Sequence, residues 1–159
     1  MRVCFLRHTT AVDIAPRDAV RALTPAGDKE AQIAGAGLAA LGIGPTAILS
    51  SPLLRARQTA EIVARTLKFS GVITAINELA NDHSTAELLR ALGPYRMADT
   101  ILLVGHMPSL AEHITELIDG PFVDGLGKGS AALIELPELR QGAGQLVWRK
   151  RLEDLLAEP

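Results

Sequence analysis

The chain opens with Met1-Arg2-Val3-Cys4-Phe5-Leu6-Arg7-His8, in which a short run of strand-forming residues stops abruptly at a charged pair. A second stretch of the same design, Ile101-Leu102-Leu103-Val104-Gly105-His106, lies in the second half of the chain and is more hydrophobic. Short apolar runs of this kind are typical of strands that are buried on both faces. We therefore predict two buried strands, each followed closely by a histidine.

Helical and strand patterns alternate along the rest of the chain. Thr24-Pro25 and Ser51-Pro52 each combine a capping residue with proline at the first helical position, and apolar residues with helical spacing follow both pairs. The other predicted elements are strands over 47–50, 72–76, 131–136 and 145–148, and helices over 84–92 and from about 108 onward. This alternation predicts an α/β fold, a three-layer α/β/α sandwich with a mostly parallel sheet, and an antiparallel hairpin at one edge.

Length and composition predict one globular domain over residues 1–159. The hydrophobic fraction is 48% and the charged fraction is 21%, and the formal net charge of -2 gives no field that would attract nucleic acid or an anionic membrane. No apolar run approaches the ~20 residues of a membrane helix, and the one cysteine, Cys4, has no partner for an internal disulfide. We expect a soluble cytoplasmic protein with neither nucleic acid nor membrane as its partner.

Three polar clusters follow the predicted strands. They are Arg7-His8, Ser51 with Arg55, and Gly105-His106. Ligands of parallel α/β sheets bind outside the carboxyl ends of the strands, so we expect all three clusters to meet in one crevice. Arg55 falls in the first turn of a predicted helix, whose free N–H groups favour a bound phosphate.

Two arginines and two histidines in one crevice indicate phosphoryl chemistry. Guanidinium groups bind the equatorial oxygens of a phosphoryl group at fixed geometry, which is the role we assign to Arg7 and Arg55. Nearby cations disfavour a protonated imidazole, so His8 is predicted to be the nucleophile, while His106 donates a hydrogen bond to the transferring group. The histidines lack companion carboxylates or cysteines at metal-ligand spacing, so we predict a mechanism with no metal and no cofactor.

At these positions the sequence resembles the histidine phosphatase superfamily. The matching segments are Leu6-Arg7-His8-Thr9, the long motif SSPLLRARQTA over 50–60, and Val104-Gly105-His106-Met107-Pro108. The short length and the segment Asp18-x-x-Arg21-x-Leu23-Thr24 make the chain most similar to the SixA-type phosphohistidine phosphatases. The resemblance implies a phosphoglycerate mutase-like fold, a phosphoryl group accepted by His8 and a pocket formed by Arg7, Arg55 and His106.

The chain departs from the family pattern at two places. Family members usually have glycine after the Arg-His pair, whereas this chain has Thr9 and Thr10. The second departure concerns the general acid. The loop that carries the family's glutamate is matched only weakly, by Asn77-Glu78-Leu79. Glu78 is our candidate for it, with Asp18 in reserve. We also predict substrate contacts by Arg21, Asp18 and Thr9.

Several functions share such a site. The first is removal of phosphate from phosphohistidine in a protein such as a phosphotransfer domain, since so short a chain has little room for a lid over small metabolites. The second is hydrolysis of small phosphomonoesters by the same residues. A mutase is less favoured, because it needs water kept out. The third is a non-catalytic module that binds phosphorylated partners. His83 and His113 have no arginine neighbours in comparable positions, and we expect structural or surface roles for both.

Overall fold

The computed structural model of the protein describes residues 1–121 and 125–159, and its centre is one mixed sheet. The strands are β1 (Arg2–Arg7), β2 (Ala47–Ser50), β3 (Ile73–Ala75), β4 (Thr100–Gly105), β5 (Ala131–Glu135) and β6 (Gln145–Lys150), in the order β3-β2-β4-β1-β5-β6. The pairs β3–β2, β2–β4 and β4–β1 are parallel, whereas β5 pairs antiparallel with both β1 and β6. The predicted mostly parallel sheet with an antiparallel edge is confirmed.

Helices cover both faces of this sheet. They are α1 (Pro25–Ala40), α2 (Leu54–Thr66), α3 (Thr85–Leu92), α4 (Ser109–Ile118) and α5 (Leu152–Leu156), with 3-10 turns at Asp18–Val20, Asn77–Leu79 and Gly93–Tyr95. Residues of α1, α2 and α5 pack in one apolar cluster, and residues of α3 and α4 pack in another on the opposite face. The three layers of the predicted α/β/α sandwich are therefore present. Among the described helices, none has both the length and the apolar character needed to cross a membrane.

The central strands β1 and β4 divide their side chains between the two clusters. Val3 and Phe5 face the α3/α4 side, whereas Cys4 and Leu6 face the α1/α2 side, as the alternation of a strand requires. Burying each large apolar side chain stabilises the fold by roughly 1.5–3 kcal/mol. The parallel register pairs Arg7 with Gly105. The two buried strands therefore end side by side, which places His8 next to His106.

The first predicted helix start is confirmed and the second is wrong in detail. The Thr24 side chain accepts a hydrogen bond from Gly27 N at 3.0 Å, with Pro25 at the first helical position of α1. Helix α2 instead begins at Leu54, three residues after Ser51. The Ser51 hydroxyl accepts a hydrogen bond from Leu53 N at 3.1 Å and turns towards His106, so it does not act as the predicted N-cap.

The other differences lie near the edges of the sheet and at the last helix. Strand β3 is shorter than the predicted 72–76, and Val72 is exposed. Strand β6 continues to Lys150, two residues beyond the predicted end. Helix α5 was not predicted, because five residues are too few to establish a helical period. None of these differences moves a candidate site residue.

Candidate functional site

The candidate site lies at the carboxyl ends of β1, β2 and β4. His8 N donates to Gly105 O at 3.1 Å and Ser51 N donates to Val104 O at 2.9 Å, so the pairing of the sheet continues one residue past the strands. The ring centroids of His8 and His106 are 5.0 Å apart, with their planes tilted by 54°. The structure thus brings together the ends of strands that are distant in sequence, as the positions of the polar clusters predicted.

His8 has one ring nitrogen engaged by the backbone. Its Nδ1 lies 2.8 Å from Thr9 O, and because a carbonyl oxygen only accepts, Nδ1 carries the proton. Burial lowers the pKa of His8 to about 4, the Thr9 carbonyl opposes this shift, and the charges of Arg55, Arg7 and Lys128 add to it. At neutral pH the ring is therefore uncharged and has its lone pair on Nε2. This is the protonation state that a nucleophilic imidazole needs.

His106 is more deeply buried, with 2% of its surface exposed. Its Nε2 lies 2.7 Å from the Ser51 hydroxyl, and its Nδ1 is buried with no partner among the described residues. Burial, followed by the effects of His8 and Arg55, lowers the pKa of His106 to about 3. Two neutral rings therefore face each other at neutral pH, and protonation of one opposes protonation of the other.

Arg55 is 7% exposed, and its guanidinium is oriented by the 3-10 turn at Asp18–Val20. It donates to Asp18 O at 3.0 Å and to Asp18 Oδ2 at 3.2 Å. Asp18 also accepts from Arg21 at 3.0 Å, and the hydrogen bonds from Arg21 and Arg55 hold the pKa of Asp18 below its ordinary value. An ionised carboxylate cannot protonate a leaving group, so this structure favours an orienting role for Asp18 over the reserve role of general acid.

Arg7 is the last residue of β1 and directly precedes His8; it is half-buried. Its Nη1 donates to Leu126 O at 3.0 Å, and its Nε is buried with no partner within residues 1–121 and 125–159. Burial lowers the pKa of Arg7, although a guanidinium remains charged in proteins. Gly129 N donates to Arg7 O at 3.1 Å, so the segment that carries Lys128 is held beside the site. The site therefore has two cations near the His8 ring, Arg55 buried and Arg7 half-buried, and both lower the pKa of His8.

Thr9 and Glu78, two further candidates from the sequence, occupy different kinds of position. Thr9 has no exposed surface, and its hydroxyl donates to Gly27 O at 2.8 Å, so the side chain is directed into the protein and gives no support to a substrate contact. Glu78 is half-buried in the turn Asn77–Leu79, and no hydrogen bond or ion pair among the described interactions joins it to either histidine or arginine. A Cβ on Gly105 would lie 2.8 Å from Leu79 O, which shows how closely this turn approaches the site.

Sequence reasoning placed Ser51 in the crevice without giving it a contact, and it gave no site role to Thr59 or Glu30. The Ser51 hydroxyl lies 2.7 Å from His106 Nε2. The Thr59 hydroxyl accepts a hydrogen bond from Thr9 N at 3.2 Å, and the Glu30 carboxylate accepts one from Thr10 N at 3.0 Å. Ser51 and Thr59 lie within the motif at 50–60, which was the available signal. The other histidines lie elsewhere: His83 is 2.8 Å from Glu87, and His113 is 2.8 Å from Thr85.

Within the part of the chain that the structure describes, no three His, Cys, Asp or Glu side chains form a group able to hold a metal ion. What the site does contain is two neutral imidazoles and two guanidiniums around one crevice. The guanidiniums can bind the oxygens of a phosphoryl group, and a neutral imidazole can attack its phosphorus atom.

The comparisons with known proteins point the same way. A model described as the histidine phosphatase superfamily (branch 1) matches residues 5–83. An uncharacterised protein of Picosynechococcus is 34% identical over 92% of this chain and 88% of its own length, and the phosphohistidine phosphatase SixA of Escherichia coli is 28% identical over 94% and 92%. The structure of the protein histidine phosphatase SixA complexed with tungstate superposes with a TM-score of 0.90 at 26% identity, covering 98% of this chain and 99% of that one.

Proposed function

The chain belongs to the histidine phosphatase superfamily, and from this premise we propose that it hydrolyses phosphoryl groups through a phosphohistidine formed on Nε2 of His8. The observation that carries the proposal is the state of the His8 ring. Its Nδ1–H is held by Thr9 O at 2.8 Å, and burial lowers its pKa to about 4, so Nε2 keeps its lone pair at neutral pH. A merely structural histidine does not need a free nitrogen beside two arginines.

In the first step the Nε2 lone pair of His8 attacks phosphorus, and the bond from phosphorus to the leaving atom breaks. Arg7 and Arg55 bind the equatorial oxygens, where guanidinium groups stabilise the charge of the transferring group. His106 adds a hydrogen bond to the same group. The leaving group departs with the electron pair of the broken bond and takes up a proton, for which Glu78 is our candidate donor.

In the second step a water molecule attacks the phosphorus of phosphohistidine on His8. The P–N bond breaks, its electron pair returns to Nε2, and the water gives a proton to the carboxylate that the first step left on Glu78. Inorganic phosphate and neutral His8 result, and Glu78 is protonated again. The same two arginines bind the oxygens in both steps, because both transition states distribute charge over the same three positions. The cycle as proposed requires no metal or cofactor.

We take the substrate to be phosphohistidine in a protein. A phosphorylated imidazole leaves more readily than an alkoxide, so it depends less on a strong general acid. This suits a site whose candidate acid, Glu78, makes none of the described hydrogen bonds to His8, His106, Arg7 or Arg55. The similarity to SixA over nearly the full length of both chains supports the same substrate class. We also propose a cytoplasmic location, for which the free cysteine Cys4 is typical.

The decisive experiment measures turnover of a phosphohistidine protein and of a generic phosphomonoester, each with a chelator present. His8→Ala should lose turnover of the preferred substrate and should fail to incorporate phosphate into an acid-labile, base-stable bond. His83→Ala is the matched control, because His83 pairs with Glu87 outside the site. It should retain wild-type turnover and phosphate incorporation.

The outcomes separate the alternatives. Turnover of the protein substrate supports the proposal, whereas turnover of the ester alone assigns the site to small phosphomonoesters. No turnover of either, together with tungstate binding that survives in His8→Ala, would identify a phosphate-binding module. A chelator that abolishes turnover in wild type would overturn the metal-free mechanism, and a fully active His8→Ala would overturn the nucleophile.

A further inference from the structure

The residue after the nucleophile is fixed from two helices. Thr9 N donates to the hydroxyl of Thr59 on α2 at 3.2 Å, and the Thr59 hydroxyl donates in turn to Arg55 O at 2.8 Å. Both Thr9 and Thr59 are fully buried. A continuous series of hydrogen bonds therefore connects the backbone of Arg55 with the peptide that follows His8.

The second attachment comes from Glu30 on α1. One carboxylate oxygen accepts from Thr10 N at 3.0 Å, and the other accepts from the Thr10 hydroxyl at 3.1 Å. Thr10 N belongs to the same planar peptide group as Thr9 O, which accepts the Nδ1–H of His8 at 2.8 Å. The carboxylate thus orients and polarises the carbonyl that holds the nucleophile, because hydrogen bonds in series strengthen one another.

We propose that Glu30 and Thr59, here named the Thr9 clamp, are positioning residues that keep His8 in the Nδ1–H tautomer with Nε2 free for attack. The inference rests on the proposed role of His8. It also explains how a chain with Thr9 and Thr10 in place of the family's usual glycine holds this backbone. Thr9 N donates to the Thr59 hydroxyl and Thr9 O accepts from His8, so the backbone of Thr9 orients the His8 ring.

Glycine at position 27 fits the same arrangement. A Cβ on Gly27 would collide with Thr10 O and would lie 3.2 Å from Thr10 N, so a side chain here would push on the residue that Glu30 holds. Thr24 N and the Thr24 hydroxyl both donate to this same oxygen, at 3.0 Å and 3.3 Å. The segment after His8 is therefore packed directly against the first turn of α1, which leaves its peptides one orientation.

The test uses paired variants with internal controls. Thr59→Val keeps the volume and removes the hydroxyl, and Thr66→Val is its match, since Thr66 on α2 makes the same kind of bond, to Ile62 O at 3.0 Å. Glu30→Ala is matched by Asp28→Ala, an exposed acid on the same helix. We expect kcat to fall about 10- to 100-fold in both clamp variants with little change in KM, because the guanidinium groups that bind phosphate keep their own hydrogen bonds.

The readout specific to positioning is the tautomer of His8. Ring ¹⁵N shifts distinguish Nδ1–H from Nε2–H, and with four histidines in the chain the signals of His8 are assigned by their loss in His8→Ala. Wild type, Thr66→Val and Asp28→Ala should show Nδ1–H alone. The clamp variants should show both tautomers, and Thr59→Ser and Glu30→Gln, which keep an acceptor, should recover most of the kcat.

Failure of this inference differs from failure of the proposed function. An active His8→Ala would remove the nucleophile and the clamp together. An inactive His8→Ala beside clamp variants that match their controls in kcat and tautomer would overturn the clamp alone. A clamp variant with reduced stability, unchanged tautomer and unchanged kcat per folded molecule would show a packing role, which also overturns it.

Discussion

Two buried histidines, His8 at the end of β1 and His113 on α4, occupy sites that differ mainly in their neighbours. Burial is the largest cause of a lowered pKa in both. His8 then has Arg55, Arg7 and Lys128 around it, which lower its pKa further. His113 has Glu116 nearby, which raises its pKa, and its Nδ1 lies 2.8 Å from Thr85 Oγ1.

Burial alone therefore does not produce a reactive imidazole. Both rings are neutral at neutral pH, yet only His8 combines an available Nε2 with cations placed to receive an anion. The carboxylate near His113 would instead repel a phosphoryl group. The distinguishing features are therefore the charges beside the ring and the peptide that fixes its tautomer.

The largest effect should come from exchanging the two histidines in turn for alanine. His8→Ala should lower kcat/KM by about 10⁴-fold or more, because it removes the atom that forms the intermediate. His113→Ala should keep turnover per folded molecule within about threefold. It should instead lower the free energy of unfolding by roughly 1–3 kcal/mol, since it empties a buried position and leaves Thr85 unpaired.

Steady-state kinetics and urea unfolding of the same preparations measure both effects. Circular dichroism confirms that each variant is folded before its rate is taken. A His113→Ala protein that is stable but inactive would contradict the comparison, because it would place His113 among the groups required for turnover.

The next effect concerns the cations. Arg55→Ala should lower kcat/KM by about 10²- to 10³-fold and weaken tungstate binding, since it removes a buried donor to the phosphoryl oxygens. Arg57→Ala, on the same helix and exposed, is the matched control and should change either value less than threefold. Equal losses of kcat/KM and of tungstate binding in the two variants would mean that overall positive charge binds the anion, and not the buried guanidinium of Arg55.

The sequence alone predicted most of the architecture, because the decisive signals are local. The buried runs at 3–6 and 101–104 identify the central strands, and the cap at Thr24 identifies the start of α1. Residues that follow such strands collect at one edge of a parallel sheet, so the sequence pattern alone predicts that His8 and His106 lie close together.

The remainder depends on contacts between distant segments, which no local pattern records. Ser51 matched a helix cap by sequence but contacts His106, 55 residues away. Glu30 reads as an ordinary polar helix residue, yet it holds Thr10 across the first turn of α1. The partner of Arg55 is Asp18 in a 3-10 turn, an element too short to have a period.

The pH dependence of stability should show that the site histidines are neutral in the folded state. His8 and His106 have folded pKa values of about 4 and about 3, against an ordinary value of 6.5. Below pH ~6.5 the unfolded chain therefore binds protons that the folded chain does not, so stability falls as the pH decreases towards ~4. The loss should be on the order of a few kcal/mol, since one pKa unit corresponds to about 1.4 kcal/mol.

Urea unfolding of wild type and His8→Ala at several pH values measures this term. The variant lacks one of these groups, so its stability should depend less steeply on pH, by up to about 1.4 kcal/mol per pH unit. If the free energy of unfolding had the same slope against pH in the two proteins, His8 would have its ordinary pKa in the folded state. That result would also remove the argument for a free Nε2.

The smallest effect should come from the carboxylate beside Arg55. The side chain of Asp18 is 63% exposed and is ionised, because Arg21 and Arg55 hold its pKa below the ordinary value. Asp18→Asn keeps an acceptor for Arg55 but removes a negative charge from the crevice. We expect kcat to stay within about threefold and KM for an anionic substrate to fall a few-fold, since exposed ion pairs contribute only ~0–1 kcal/mol. Asp13→Asn, exposed on the same loop, should leave both parameters unchanged.

A loss of kcat by about 10²-fold or more in Asp18→Asn would instead identify Asp18 as a proton donor in the reaction. That outcome would remove Glu78 from the role, and it would show that the reactive histidine needs a carboxylate in its crevice in addition to the cations.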